Sequence, residues 1–357
     1  MQRLSFIGLF FISLMLVSQT NSSLKTDSIN KSIRNNRLVD SLNHNDGPYM
    51  FIDKDKIIEK NIVNGTVETK ILGLNTINTE FETEPFIYHN VSTIAVISDF
   101  HGQYDLTVKI LKNNHIIDEK LNWVFGKGHL VIVGDIFDRG PKTTELLWLV
   151  YNLEKQAENN GGKVHFILGN HEFMVMQNDL RYINKKYWLT SKLLNTPYNE
   201  LYGKETVLGR WLRSKNTILN IDDNLFLHAG ISEVFISNGF NLEETNQKMR
   251  QSLFEDDSDP TWHTLYDKYY DNNGPVWYRG YFSAEFKKSD INKLLRKLDV
   301  KHVIVGHTSQ KQIESLFHNK ILAVDSSIKN NIYGEMLFIE NGKYYRHTME
   351  GEIIKLK

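Results

Sequence analysis

The stretch VIVGDIFDRG, Val131 to Gly140, joins two kinds of residue that seldom adjoin. Its first residues suit a strand buried on both faces. Gly134 then ends the apolar run, and Asp135, Asp138 and Arg139 follow within five positions. Removing carboxylates from water at the tip of a buried strand is costly unless they are paired. A surface loop could carry the same charges in water at no cost. The placement therefore predicts a compensating partner at the strand's end.

The same grammar recurs on either side. TIAVIS (93–98) is an apolar strand pattern that stops at Asp99, and KVHFILG (163–169) is another that stops at Asn170. Between them, 104–114 carries Leu106, Ile110 and Leu111 at helical spacing, and a second helix follows Pro141 and ends at NNGG. Asp99, Asp135 and Asn170 thus recur about every 35 residues, each just past a strand. That period fits βαβ crossovers, which bring successive strand ends to one sheet edge, where open α/β sheets bind ligands. Strand patterns return in NLFLHAGIS, KHVIVGHTSQ, KILAVDSS and EMLFIENGKYYRHT, with a helix expected over 283–298.

Around this core the chain divides into further expected parts. Arg3, the apolar run Leu4–Val17 and the polar residues after it have the layout of an export signal. The run is shorter than the roughly 20 residues that span a bilayer. We therefore expect residues 1–22 to be a cleaved signal peptide (cleavage within 18–23), giving a secreted or periplasmic protein without stable membrane insertion. Residues 23–48 read as a polar, flexible leader, and 49–90 as a β extension with an Asn-Gly hairpin at VNGT. A catalytic domain is expected over 91–350, with a helical cap or insertion at about 173–220. In 357 residues, 42 Lys and Arg balance 43 Asp and Glu, so no global field favours nucleic acid. The absence of cysteine excludes disulfides, thiolate metal sites and a cysteine nucleophile.

Five fragments in order close strand patterns with hard or imidazole donors: SDFHG (98–102), GDIFDRG (134–140), GNHE (169–172), LHAG (227–230) and GHT (306–308). Asp99 and His101, at i and i+2, can share a side of extended chain. With Asp135 they form a ligand set for one divalent ion; Asn170, His228 and His307 form a second, with Asp135 bridging. Two ions roughly 3.5–4 Å apart clamp an in-line displacement at phosphorus and activate water. Mn²⁺ is the first expectation, with Fe or Zn²⁺ as alternatives. His171 is the expected general acid and Asp138 its orienting partner. Arg139 and Arg279 are expected to bind phosphoryl oxygens along with Asn170. Glu172 is assigned only a supporting position. The alternative for Arg279 is stacking among Trp277, Tyr278 and Tyr281. The aromatic stretch 262–281 divides evenly between a groove for a phosphotyrosine ring and ordinary packing. His165 and His302 read as structural, and His115, His129, His263 and His347 lack ligand-like surroundings.

This constellation resembles the metallophosphoesterase superfamily and, within it, the phosphoprotein phosphatases. ILGNHEFMVMQNDLRYI, GRWLRSKNTILNIDDNLFLHAGIS, GPVWYRGY and the leading DGPYMF resemble the Shewanella-like, bacterial-type branch over residues 46–345. The resemblance implies a calcineurin-like α/β fold: two packed mixed β-sheets flanked by helices, with a dinuclear site at the sheet edge. It implies a metal-dependent phosphomonoesterase acting on phosphotyrosine or phosphoserine/threonine in proteins, by direct attack of water. Ser98 stands where glycine is usual, HAG replaces His-Gly-Gly, and the arginine before GNHE and the C-terminal Ser-Ala-Pro-Asn-Tyr stretch of eukaryotic relatives are missing. None of these departures removes a ligand. Two alternatives are a hydrolase of dinucleoside polyphosphates and a binding protein that keeps the fold without catalysis.

Overall fold

A computed structural model describes residues 43–254 and 266–356. The expected signal peptide, residues 23–42 of the expected leader and residues 262–265 of the aromatic stretch lie outside the described residues.

An antiparallel meander comes first: β1 (Asp46–Asp53), β2 (Lys56–Val63) and β3 (Thr66–Gly73). Asn64 and Gly65 join β2 to β3 with φ of 49° and 74°. Two consecutive left-handed residues are what a primed two-residue turn requires. The next strand, β4 (Ile87–Tyr88), leaves this meander and joins the edge of a core sheet.

The expected βαβαβ unit follows: β5 (Thr93–Ile97), α1 (Tyr104–Asn113), β6 (His129–Val133), α2 (Thr143–Asn159) and β7 (Lys163–Ile167). Its strands run parallel, with β6 in the middle. Helices α3 (Asn170–Met176), α4 (Lys185–Leu194) and α5 (Val207–Arg213) lead into the hairpin β8 (Ile218–Ile221) and β9 (Asn224–Leu227). The stretch expected to be helical to about residue 220 therefore ends as strand. The run ILNI is too short for periodicity to separate a strand from a helical turn. Two helices without a sequence expectation follow, α6 (Glu233–Ser237) and α7 (Leu242–Ser252). Then come α8 (Lys288–Leu298), which starts five residues after the expected helix start, and β10 (His302–Val305). The chain finishes through β11 (Glu314–Leu316), β12 (Ile321–Ala323), β13 (Glu335–Glu340), β14 (Lys343–Thr348) and β15 (Ile353–Lys355).

The strands form two six-stranded mixed sheets, ordered β15-β14-β13-β5-β6-β7 and β11-β12-β10-β9-β8-β4. Alternation along β5 and β6 explains their continuous apolar character. Ile94, Val96, Val131 and Val133 face the second sheet, meeting Phe226, Ile304 and Leu322 in a dry inner layer. Ala95, Ile97, Leu130 and Ile132 face outward into the larger cluster shared with Ile110 of α1 and Leu146 and Val150 of α2. Strands buried on both faces exclude unpaired charge, so the carboxylates appear where they end. Those ends place the site.

Candidate active site

The loops leaving β5 and β6 are joined backbone to backbone. Asp99 N–H donates to the Gly134 carbonyl (3.1 Å), His101 N–H to Asp135 (2.9 Å), and Gly102 N–H to Ile136 (3.0 Å), while Gly140 N–H returns to His101 (2.8 Å). Gly102 and Gly140 permit this: a Cβ on Gly102 would lie 2.7 Å from the Gly140 carbonyl carbon. Six non-glycine site residues have left-handed φ: Asp99, His101, Asp135, Asp138, Arg139 and His307. Each such position costs on the order of 1–3 kcal/mol and persists only where its surroundings over-determine it. For Asp135 and the two residues after it, Glu172 supplies that determination. One of its carboxylate oxygens accepts the N–H groups of Gly169 (2.7 Å) and Asp135 (2.8 Å). The other accepts those of Ile136 (2.7 Å) and Phe137 (3.3 Å). The residue with only a supporting assignment is therefore the one that shapes the Asp135 loop.

The expected ligands converge from both sheets. Asp135 Oδ2 lies 3.2 Å from His228 Nε2, 3.5 Å from His101 Nε2 and 3.9 Å from His171 Nε2. His228 Nε2 is also 2.9 Å from Asn170 Oδ1 and 3.2 Å from His307 Nδ1. Asp99 Oδ1 is 3.9 Å from His101 Nε2, and its other oxygen accepts the Ser98 hydroxyl and the His307 N–H. The second ring nitrogens of His101 and His228 donate to the carbonyls of Phe137 and Val133, both at 2.8 Å. These bonds fix the tautomer that turns a lone pair on Nε2 toward the centre. His228 Nε2 then faces an amide oxygen, a carboxylate oxygen and an imidazole nitrogen at once. One proton satisfies only one of them; a cation satisfies all of them. By this test the donor set fits divalent metal. Two buried clusters could hold such ions, His101–Asp135–His171 and Asp135–His228–His307, and they share Asp135.

Electrostatics point the same way. Burial works to raise the Asp135 carboxyl, but the His228, His171 and His101 imidazoles hold it well below the usual carboxylate range. Burial works to lower His228, but Asp135, Asp99 and the Val133 carbonyl hold it up, at about 10. Asp99 is pushed well up by burial and by the neighbouring Asp325. Burial drives His101 down to about 3. Without a metal, the His228 imidazolium is thus set against the Asp135 carboxylate, a buried negative charge that calls for a cation beside it.

His171 is buried beside them, with Nδ1 hydrogen-bonded to Asp138, which burial raises. Arg139 and Arg279 are exposed at the rim of the site. Arg279 donates through Nη1 to the His307 carbonyl and the Thr308 hydroxyl, both at 3.1 Å. That anchoring to the GHT loop, and not stacking among aromatics, sets its position. The aromatic stretch divides. The Trp277 ring centroid lies 5.6 Å from that of His307, whereas Tyr281 is buried and its hydroxyl bonds the Ile231 backbone. His165 pairs with His129 (2.9 Å) away from the site, and His302 bonds the Asn319 carbonyl (2.6 Å).

Sequence reasoning missed two neighbours. Asp325, fully buried, follows strand β12 and accepts the Ser309 hydroxyl. Tyr182 accepts the Arg139 N–H on its carbonyl (2.9 Å) and holds its ring 5.4 Å from that of His171. Glu172 was noticed without its task. For Asp325 a signal existed, since AVDSS repeats the pattern of a strand ending in an aspartate. Tyr182 had none.

A family model described as calcineurin-like phosphoesterase matches residues 92–311. Over 274 residues the chain is 26% identical to Shewanella-like protein phosphatase 1 of Plasmodium berghei, covering 74% of this chain and 73% of that one. The crystal structure of a cold-active protein-tyrosine phosphatase from a psychrophilic Shewanella superposes with a TM-score of 0.82 at 39% identity, over 88% of this chain and 99% of that one. A symmetrical bis(5'-nucleosyl)-tetraphosphatase of Hamiltonella defensa is 30% identical over a shorter span, 38% of this chain and 43% of its own length.

Proposed function

We propose a function on this premise: the chain belongs to the calcineurin-like phosphoesterase family, in the branch of the Shewanella-like protein phosphatases. It is a metal-dependent protein phosphatase that hydrolyses phosphotyrosine and, with it or instead of it, phosphoserine and phosphothreonine. The observation that carries this reading is Asp135 Oδ2, within 4 Å of Nε2 of three imidazoles that arrive from two loops and the first turn of α3.

Asp99, His101 and Asp135 would hold one divalent ion, and Asp135, Asn170, His228 and His307 the other. Bound there, the ions supply Lewis acidity that activates water and offsets charge at phosphorus. Mn²⁺ is the first choice for these oxygen and imidazole donors, ahead of Fe or Zn²⁺. The chain's own groups do the rest. Arg139 and Arg279 present guanidinium N–H groups to the phosphoryl oxygens from opposite loops. His171, as imidazolium, gives its Nε2 proton to the leaving oxygen. Asp138 at Nδ1 stabilises that imidazolium and keeps Nε2 aimed at the centre. His171 also sits near enough to the Asp135 oxygen to compete with Asp99 as third ligand. We assign the ligand role to Asp99, because the bond from Nδ1 to Asp138 suits His171 to proton transfer.

Metal analysis and a phosphopeptide panel test this. The expected result is about two metals per chain and faster turnover of phosphopeptides than of diadenosine tetraphosphate. Preference for the nucleotide would overturn the protein-phosphatase reading. Export is proposed on sequence alone, from Arg3 and the Leu4–Val17 run. Mass analysis of the mature N-terminus checks it, and a retained Met1 in the exported protein would refute cleavage.

A further inference from the structure

Beside His171 stands a side chain with no task in the chemistry above. Tyr182 lies between α3 and α4, and 42% of its surface is exposed, unusual for a large ring at the mouth of a buried site. It is nevertheless fixed in place. Its carbonyl takes the Arg139 N–H at 2.9 Å, and Asn184, two residues on, donates to the Arg139 carbonyl at 2.7 Å. The ring itself meets two cations, with the Arg139 guanidinium carbon 5.4 Å and that of Arg181 5.5 Å from its centroid. Its centroid is 5.4 Å from the His171 ring, at an interplanar angle of 51°.

In an in-line displacement the leaving oxygen takes the proton of the general acid. Whatever that oxygen is attached to therefore lies beside His171, which is the place Tyr182 borders. A phosphoserine presents one methylene there; a phosphotyrosine presents a whole ring. We propose that Tyr182 is a specificity-determining residue whose ring packs against the phenyl ring of a phosphotyrosine leaving group. The inference rests on the proposed role of His171. The bound ring would join an aromatic–cation group already assembled from Tyr182, Arg139 and Arg181. Aromatic pairs prefer offset or edge-to-face contact at centroid distances of about 4.5–7 Å.

The experiment compares Tyr182→Ala and Tyr182→Phe on one peptide carrying either phosphotyrosine or phosphoserine at the same position. The readout is the ratio of the two kcat/KM values. An aromatic contact of ordinary strength makes that ratio fall roughly three- to tenfold in the alanine variant. The phenylalanine variant keeps it within about twofold of wild type, since the ring and not the hydroxyl makes the contact. An unchanged ratio in Tyr182→Ala, whatever the absolute loss, overturns the proposal, because displacement of Arg139 would affect both substrates alike. Phenyl phosphate and glycerol 2-phosphate are measured alongside. If neither peptide is turned over but this aryl/alkyl pair shows the selective loss, the protein-substrate reading fails and the role of Tyr182 stands.

Discussion

Replacing Glu172 by glutamine tests whether the site's geometry is held by one buried carboxylate. Each oxygen of Glu172 accepts two backbone N–H groups, four in all, and the side chain is fully buried. A glutamine keeps the shape but offers only one oxygen. Its NH₂ must then face either the Gly169 and Asp135 pair or the Ile136 and Phe137 pair. Two buried donors lose their acceptor, at about 1–3 kcal/mol each, and donor–donor contact adds to that. A loss of roughly 3–6 kcal/mol is a large part of the stability of a single domain, about 5–15 kcal/mol. At about 2–4 °C per kcal/mol for a large domain, the melting temperature should fall by at least ~6 °C. The disturbance also falls on the loop that carries Asp135, so metal content should fall with stability. Thermal unfolding with and without chelator, together with metal analysis of the purified variant, reads both effects. A Glu172→Gln protein that melts within ~2 °C of wild type and retains both metals would refute the reasoning.

The other expectations are simpler. Asp135→Asn removes the one carboxylate that meets His101, His171 and His228, so both metals and nearly all turnover should be lost; normal aryl phosphate hydrolysis would show that it does not bridge. Asp99→Asn should lower metal stoichiometry, whereas His171→Ala should keep it and lose most activity on poor leaving groups such as alkyl phosphates. Loss of a metal in His171→Ala, with none lost in Asp99→Asn, would reverse the assignment of acid and ligand. Arg279→Ala should weaken competitive inhibition by inorganic phosphate about tenfold, as expected for one charge-assisted contact of roughly 1.5 kcal/mol; unchanged inhibition would return Arg279 to a purely structural contact with the GHT loop.

What could be read in advance followed from buried strands. A run such as TIAVIS or HLVIV tolerates no charge along its length, so the first carboxylate, amide or imidazole after it marks the sheet edge, and crossover spacing puts those edges together. Asp99, Asp135, Asn170, His228 and His307 were legible for that reason. Glu172 was not, because its four partners are peptide groups, which leave no side-chain pattern. Tyr182 was hidden differently: its hydrogen bond with Arg139 is made by its carbonyl, which every residue possesses, and its ring meets that side chain only in the fold. Arg279 was legible as a candidate but not in its attachment, since GPVWYRGY suggested aromatic neighbours and the fold supplied His307 and Thr308 instead. β8 and β11 are too short for periodicity to distinguish them from turns.

The interlocked backbones after β5 and β6 have a consequence for ion uptake. Four peptide hydrogen bonds tie the segment of Asp99 and His101 to that of Asp135, with no room for a side chain where Gly102 meets Gly140. Neither segment can relax alone, so the seat of Asp99 and His101 is shaped together with Asp135, the residue both seats would share. A lesion that shifts the Asp135 segment should therefore reach both seats, whereas loss of the Asp99 side chain alone should empty one.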